Sequence, residues 1–138
     1  MKILIFGNPL VKEDNLALRI MPQLMEKFPE IEFKETEPTE EIKKEGRNLK
    51  IIDVVEGINE VKLLNLDSLD DFNNFLKTDK IYSMHDFDLG YNLKLLKKID
   101  LIDKAEIICI PADFSEREAF SQVQLILRKW VAQLMQGS

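Results

Sequence analysis

Three residues carry side chains that could hold a metal ion, and each lies at or just beyond a strand-like segment. Asp14 follows the first apolar run, Asp53 lies near the end of LKIIDVV, and His85, the single histidine, follows KIYSM. In an open parallel sheet, ligands bind beyond the carboxyl ends of the strands. If these three strands are parallel neighbours, we expect the three side chains to point into one crevice.

Two carboxylates and one imidazole would make a three-ligand metal site with open coordination positions. Imidazole suits nickel, zinc and iron, whereas carboxylates suit harder ions. At neutral pH carboxylates are ionised and imidazole is mostly neutral. All three groups could therefore bind a metal without a large cost of deprotonation. The spacing alone leaves this site a hypothesis.

Each of the three residues also has a purely structural explanation. Asp14 could cap the helix that follows it, because its carboxylate would accept a hydrogen bond from an unpaired backbone N–H. Asp53 could contact a buried backbone N–H or a lysine, since an unpaired carboxylate in an apolar strand is costly. His85 could be a loop histidine that is hydrogen-bonded to Asp86 or Asp88.

Other catalytic and nucleotide-binding patterns are weaker or missing. The segment that follows the first apolar run contains one glycine, Gly7. It therefore has neither the dinucleotide-binding fingerprint nor a P-loop. The chain has no G-x-S-x-G turn. Ser83 lies two residues before His85 but suggests no catalytic triad. Cys109 lies in the apolar segment AEIICIP, where we expect it to be part of the core.

Alternating strand-like and helix-like segments predict the scaffold that positions these residues. The predicted strands are 2–6, 31–35, 49–55, 61–66, 80–85 and 105–111. The predicted helices are 14–27, 88–99 and 115–135, with 36–46 as an acidic helical segment ending at Gly46 and 68–76 as a loop or short helix.

This alternation predicts an α/β fold: a three-layer α-β-α sandwich with a mostly parallel, twisted sheet of about five strands. One edge strand is expected to be antiparallel, because 61–66 follows 49–55 closely enough to be its antiparallel neighbour. A chain of 138 residues is expected to form a single α/β domain over residues 1–138.

Composition narrows the classes of function. The chain is 45% hydrophobic and 32% charged, which argues against disorder. Its net charge of -6, without a basic stripe, argues against nucleic-acid binding. One cysteine cannot form an internal disulfide. No signal peptide or membrane-length apolar run is evident, so we expect a cytoplasmic location without membrane contact.

With these positions in hand, the chain resembles the hydrogenase maturation endopeptidases, which process the large subunit of nickel–iron hydrogenases. The family has a strand, then Gly-Asn-x-Leu-x-x-Asp-Asp/Glu, then a helix, and residues 7–14 read GNPLVKED. An Asp in an apolar strand is matched by Asp53 in IIDVV. Ser-x-His before a Leu-bearing helix is matched by Ser83-Met84-His85 and Leu89. The match covers most of the chain in the same order.

The sequence departs from the family pattern at three places. Asn15 and Ala17 stand where family members usually have glycines. The acidic pair reads Glu13-Asp14, so the matching ligand is an aspartate. Residues 35–38 replace the Gly-Thr-x-Gly-like loop that helps the family recognise its substrate.

The resemblance implies an endopeptidase that removes a C-terminal peptide from the nickel-loaded precursor of a hydrogenase large subunit. Asp14, Asp53 and His85 would be the catalytic residues and would contact the nickel, which the substrate supplies. The metal would position the scissile bond. Gly7 and Asn8 would shape the loop beneath Asp14. The implied partner is the hydrogenase large-subunit precursor.

Two other functions stay open at this stage. The chain could be a non-catalytic partner in hydrogenase assembly that keeps the outline of the site. It could also be a doubly wound module that binds a phosphorylated or acidic small molecule at a helix N-terminus. Glu13 and Asp14 argue against this second alternative, because they would repel an anion at that position.

Overall fold

A computed structural model describes residues 1–6, 15–36, 42–77 and 84–136, without the side chains of residues 43, 75–77 and 84–88. In chain order the elements are β1 (Lys2–Ile5), α1 (Leu16–Lys27), β2 (Glu32–Glu35), a 3-10 helix (Ile42–Glu45), β3 (Asn48–Val55), β4 (Lys62–Leu66), α2 (Leu69–Lys77), α3 (Met84–Lys98), β5 (Lys104–Pro111) and α4 (Glu116–Gln136).

The strands form one five-stranded sheet in the order β2-β1-β3-β5-β4. Four of them are parallel, and β4 runs antiparallel at the edge beside β5. The predicted α/β fold with a mostly parallel sheet and one antiparallel edge strand is therefore confirmed. The predicted partner of 61–66 is wrong, since β4 pairs with β5 and not with β3. Both edges of β3 are already occupied, by β1 and β5, so the returning strand pairs at the outer edge of β5.

Helices cover both faces of the sheet and bury two apolar layers. Successive side chains of a strand point to opposite faces, so a continuous apolar strand fills both layers. The layer beneath α1 and α4 contains Ile3, Ile5, Ile52, Val54, Ile108 and Ile110 of the sheet with Leu24 and Leu127 of the helices. The layer beneath α2 and α3 contains Leu4, Phe6, Ile51, Ile107 and Cys109 of the sheet with Phe72, Leu89 and Leu93 of the helices.

An ion cluster fixes the carboxyl end of α3 at the amino edge of the sheet. The helix ends in a turn in which the Leu101 N–H donates to the Leu96 carbonyl at 2.8 Å and Asp100 has a φ of 62°. The Arg47 guanidinium donates to Asp100 Oδ1 and to Asp103 Oδ1, each at 2.8 Å. These bonds, the one to Asp103 first, raise the pKa of Arg47 above its ordinary value. Because Arg47 immediately precedes β3, the cluster joins the end of α3 to the starts of β3 and β5.

A second cluster joins the 3-10 helix to β1 and β2. The Lys2 ammonium donates to Glu45 Oε2 at 2.8 Å, and that of Lys34 donates to Oε1 at 2.5 Å. The Glu45 side chain is only 2% exposed. Hydrogen bonds from Lys2 and then Lys34 hold the pKa of Glu45 below its ordinary value. Part of the acidic segment 36–46 thus has a structural role, and Gly46 follows its helical turn with a φ of 103°.

The structure differs from the sequence-based expectation at the predicted strand 80–85 and near the end of the last helix. The predicted strand 80–85 is wrong at residues 84 and 85, which open α3, while residues 80–83 lie outside the described part. The sheet leaves no room for a strand between β3 and β5, because these two pair directly along their whole length. Leu134, near the end of the predicted helix 115–135, is exposed. The helix, 21 residues or about 31 Å long, extends beyond β5, which is about 26 Å long.

The segment 68–76, expected to be a loop or short helix, forms the helix α2. None of the helices within the described ranges combines the length and apolar composition that a membrane span requires.

Replacing Glu45 by glutamine should lower the free energy of unfolding by about 1 kcal/mol at neutral pH, because two charge-assisted hydrogen bonds lose their anion. The folded-state pKa of Glu45 is depressed, so its contribution is complete above its ordinary value of 4.5 and is lost as the pH falls through the lower folded pKa. Urea denaturation should therefore show the stabilities of the wild type and of Glu45→Gln converging as the pH falls below 4.5 and through the folded-state pKa.

The matched control is Glu32→Gln, since Glu32 is exposed and lies 3.6 Å from the same Lys2 ammonium. It should change stability little at any pH. An equal loss in both variants would contradict a specific role for the Glu45 carboxylate.

Candidate functional site

Asp53 is a buried carboxylate near the carboxyl end of the central strand β3. Its exposed fraction is 2%. Ile51 and Val55, two residues away on either side, pack in the layer beneath α3. Because side chains two apart on a strand share a face, the Asp53 carboxylate also faces α3. The prediction that this residue interrupts a buried apolar strand is confirmed.

The neighbours of Asp53 on the sheet are Phe6 and Cys109. In the parallel ladder Asp53 lies directly beside Cys109 of β5. On the other side, the Phe6 N–H donates to the Ile52 carbonyl at 3.0 Å, which extends the pairing of β1 with β3 and places Phe6 beside Asp53. Both neighbours are buried in the same layer. Cys109 therefore lies in the core, as predicted, and the carboxylate is held on a rigid strand between an aromatic ring and a thiol.

The backbone of His85 lies in the first turn of α3, at the same edge of the sheet as Asp53. The other end of this 15-residue helix is fixed at the amino edge by Arg47. The helix is about 22 Å long, so its first turn reaches the carboxyl edge. Leu89 and Leu93 pack on the face to which Asp53 belongs. At residues 84 and 85 the predicted strand is thus replaced by a helix start, which lies at the carboxyl edge of the sheet. The His85 side chain lies outside the described part.

The other predicted site residues, Asp14, Gly7 and Asn8, lie outside the described residues, as does the alternative capping role of Asp14. The first described residue beyond them is Asn15, which precedes α1 at the carboxyl edge. Its side-chain oxygen accepts a hydrogen bond from Arg19 Nε at 2.8 Å and caps no backbone N–H.

A cavity of about 340 Å³ opens at the carboxyl ends of β3 and β5, just beyond Asp53. It is lined by Glu56, Gly57, Ile58, Ala112 and Asp113. The sequence reasoning missed the two carboxylates of this rim. The signal that would have found them is the one that singled out Asp14, namely an acidic residue directly after a buried strand.

Within residues 1–6, 15–36, 42–77 and 84–136, no group of three His, Cys, Asp or Glu side chains is arranged to hold a metal ion. The predicted set also needs Asp14 and the His85 imidazole, which lie outside the described part. The three-residue site therefore stays a prediction, for which the structure supplies the position of Asp53 and the location of the α3 start.

Solved structures of similar fold cover nearly the whole chain. A [NiFe] hydrogenase maturation protease, HybD from Thermococcus kodakarensis, is 24% identical with a TM-score of 0.62, over 96% of this chain and 99% of that one. The hydrogenase maturating endopeptidase HybD from E. coli is 20% identical with a TM-score of 0.60, over 100% and 94% of the two chains. A hydrogenase 2 maturation peptidase from a Thaumarchaeota archaeon is 15% identical with a TM-score of 0.56, over 94% and 98%.

At these identities the likeness establishes a shared fold. No family model matches the sequence, and no curated protein matches it significantly.

The Asp53→Asn variant should be as stable as the wild type to within about 1 kcal/mol. An amide of nearly the same volume and shape preserves the packing of this side chain beside Phe6 and Cys109. The free energy of unfolding from urea titration measures this.

Ile51→Ala, on the same face of β3, provides the comparison and should lose about 2–5 kcal/mol as an ordinary core truncation. A loss of this size in Asp53→Asn would show that the carboxylate has a structural role.

Proposed function

We propose that this protein is an endopeptidase that removes a C-terminal peptide from the nickel-loaded precursor of a nickel–iron hydrogenase large subunit. The observation that carries the proposal is the buried carboxylate of Asp53 in the central strand. It occupies the strand position at which the family resemblance expects a nickel-contacting aspartate. The fold supports the proposal, because hydrogenase maturation proteases share it over nearly their full length.

Asp14, Asp53 and His85 contact the nickel that the precursor carries. Charges interact more strongly away from water, so a cation that reaches the ionised carboxylate of Asp53, which is 2% exposed, would be attracted strongly. Pairing of β3 with both neighbours holds Asp53 in place, as a metal contact requires. That nickel would position the scissile bond and would polarise its carbonyl.

Dependence on a metal carried by the substrate fits the residues that the chain offers. Cys109 is buried within the sheet, where its thiol cannot approach a peptide bond. The sequence has no serine turn of the hydrolase type. A protease that uses neither a cysteine nor such a serine turn as its nucleophile would leave the precursor intact until nickel has been inserted. Cleavage would then occur only after metal insertion.

We also propose that the protein is cytoplasmic, which is the location expected from the sequence.

A cleavage assay on nickel-loaded precursor tests the proposal. Wild-type protein should shorten the large subunit, as seen by mass spectrometry. Asp14→Asn, Asp53→Asn and His85→Ala should each reduce the rate at least about 100-fold, since each removes a contact made to the reacting centre. Asp70→Asn is the matched control, because this exposed carboxylate lies in the first turn of α2, away from the carboxyl edge of the sheet. Binding of the precursor without any cleavage would instead identify a non-catalytic assembly partner.

Nickel titration followed by NMR tests whether the three residues form one site. The single histidine makes its imidazole signals unambiguous. Micromolar nickel should broaden the His85 signals together with the amides around Asp14 and Asp53. A response of His85 alone would contradict a shared site in the free protein, and it would restrict the proposal to a site that the substrate completes.

A further inference from the structure

The outer face of α3 is apolar and basic, although the chain as a whole has a net charge of -6. Tyr91, Leu95 and Ile99 are exposed by 54%, 44% and 54%. Residues four apart on a helix are neighbours, and Ile99, directly after the last residue of α3, keeps this spacing because its N–H donates to the Leu95 carbonyl at 3.0 Å. The three side chains therefore form one stripe. Lys94 and Lys98 border it, and neither forms an ion pair with any side chain that the structure describes. These five residues, Tyr91, Lys94, Leu95, Lys98 and Ile99, form the α3 stripe.

The α3 stripe is not needed to hold the helix on the sheet. The opposite side of α3 already places Leu89, Leu93 and Leu96 in the buried layer. Three apolar positions over two turns are enough to anchor a surface helix. A contiguous row of large exposed apolar side chains is typical of a surface that docks a partner.

Charge decides which partner fits the α3 stripe. Two ammonium groups beside an apolar row favour a protein surface in which carboxylates border an apolar patch. A symmetric pair of α3 helices would bring Lys94 and Lys98 against the same residues of the second copy. Like charges oppose that contact, and a dimer through this face is therefore disfavoured.

The α3 stripe begins close to the proposed site. Tyr91 follows His85 by six residues, which is about 9 Å along the helix axis. A partner bound along α3 would thus lie about two turns from the start of the helix. Its flexible C-terminal tail would reach the carboxyl edge of the sheet at a high effective concentration.

We propose that the α3 stripe docks the folded body of the precursor through an apolar surface bordered by carboxylates, while the tail enters the site. This inference rests on the proposed function. It adds a second point of attachment outside the metal-contacting residues and makes substrate choice depend on the α3 surface.

The test compares two double variants in binding and cleavage of nickel-loaded precursor. Leu95→Ser with Lys98→Glu changes the α3 stripe. Leu125→Ser with Lys129→Glu makes the same chemical change on the outer side of α4, across the sheet, where Leu125 and Lys129 are also exposed. Circular dichroism verifies that both variants fold.

The α3 variant should weaken precursor binding and raise KM by roughly tenfold, with kcat little changed, because docking energy is lost outside the reacting centre. The α4 variant should behave as the wild type. Asp53→Asn should still bind the precursor, because its docking surface is intact.

The possible outcomes separate the two proposals. If the wild type cleaves and the α3 variant has an unchanged KM, docking is refuted while the protease function stands. If the wild type binds through the α3 stripe without cleaving, docking stands and the protease function is refuted. If the wild type neither binds nor cleaves, both are refuted.

Two further observations would overturn the choice of partner. One is a wild-type dimer, seen by light scattering, that the α3 variant abolishes. The other is sedimentation of the wild type, but not of the α3 variant, with phosphatidylserine vesicles.

Discussion

The parallel pairing of β3 with β5 is the constraint on which the rest of the structure depends. It runs in register from Asn48 beside Lys104 to Val55 beside Pro111. Two parallel strands cannot be joined by a tight turn, so the intervening chain must cross over. That crossover contains α2 and α3, which cover one face of the sheet, and it contains β4, which is left to pair at the outer edge of β5. The same ladder places Asp53 beside Cys109 in the buried layer.

The two edges of the sheet use charge in different ways. At the amino edge, Arg47 is matched by the carboxylates of Asp100 and Asp103, and these ion pairs tie turns to strands. At the carboxyl edge, acidic groups collect around the strand ends, with Asp53 inside the sheet and Glu56 and Asp113 at the cavity rim. One edge therefore serves mainly stability, and the other offers oxygen ligands at the position where α/β sheets bind their ligands.

The sequence was most informative where burial and local pattern agree. The runs 49–55 and 105–111 are apolar at almost every position, which is possible only for strands covered on both faces, and both were predicted closely. Asp53 stood out because a charge interrupts one of these runs. The partner of β4 could not be predicted, because strand pairing depends on which edges the remaining chain leaves open. The helical start at residues 84–85 was missed, because a short apolar run fits a strand and a buried helix equally well. Asp14 was identified by its position after β1 and by the resemblance, and local pattern alone could not separate its two roles.

The helix α3 connects the site to the proposed docking surface. Its first turn carries the His85 backbone, its inner side packs on the layer that contains Asp53, and its outer side carries the α3 stripe. Its far end is held by Arg47, which sets how far the helix extends along the sheet. A partner bound along the outer side would therefore be placed relative to Asp53 by the same packing that places His85. Docking and metal contact would then share one rigid element, so a precursor bound on α3 would hold the base of its tail near the carboxyl edge of the central strand.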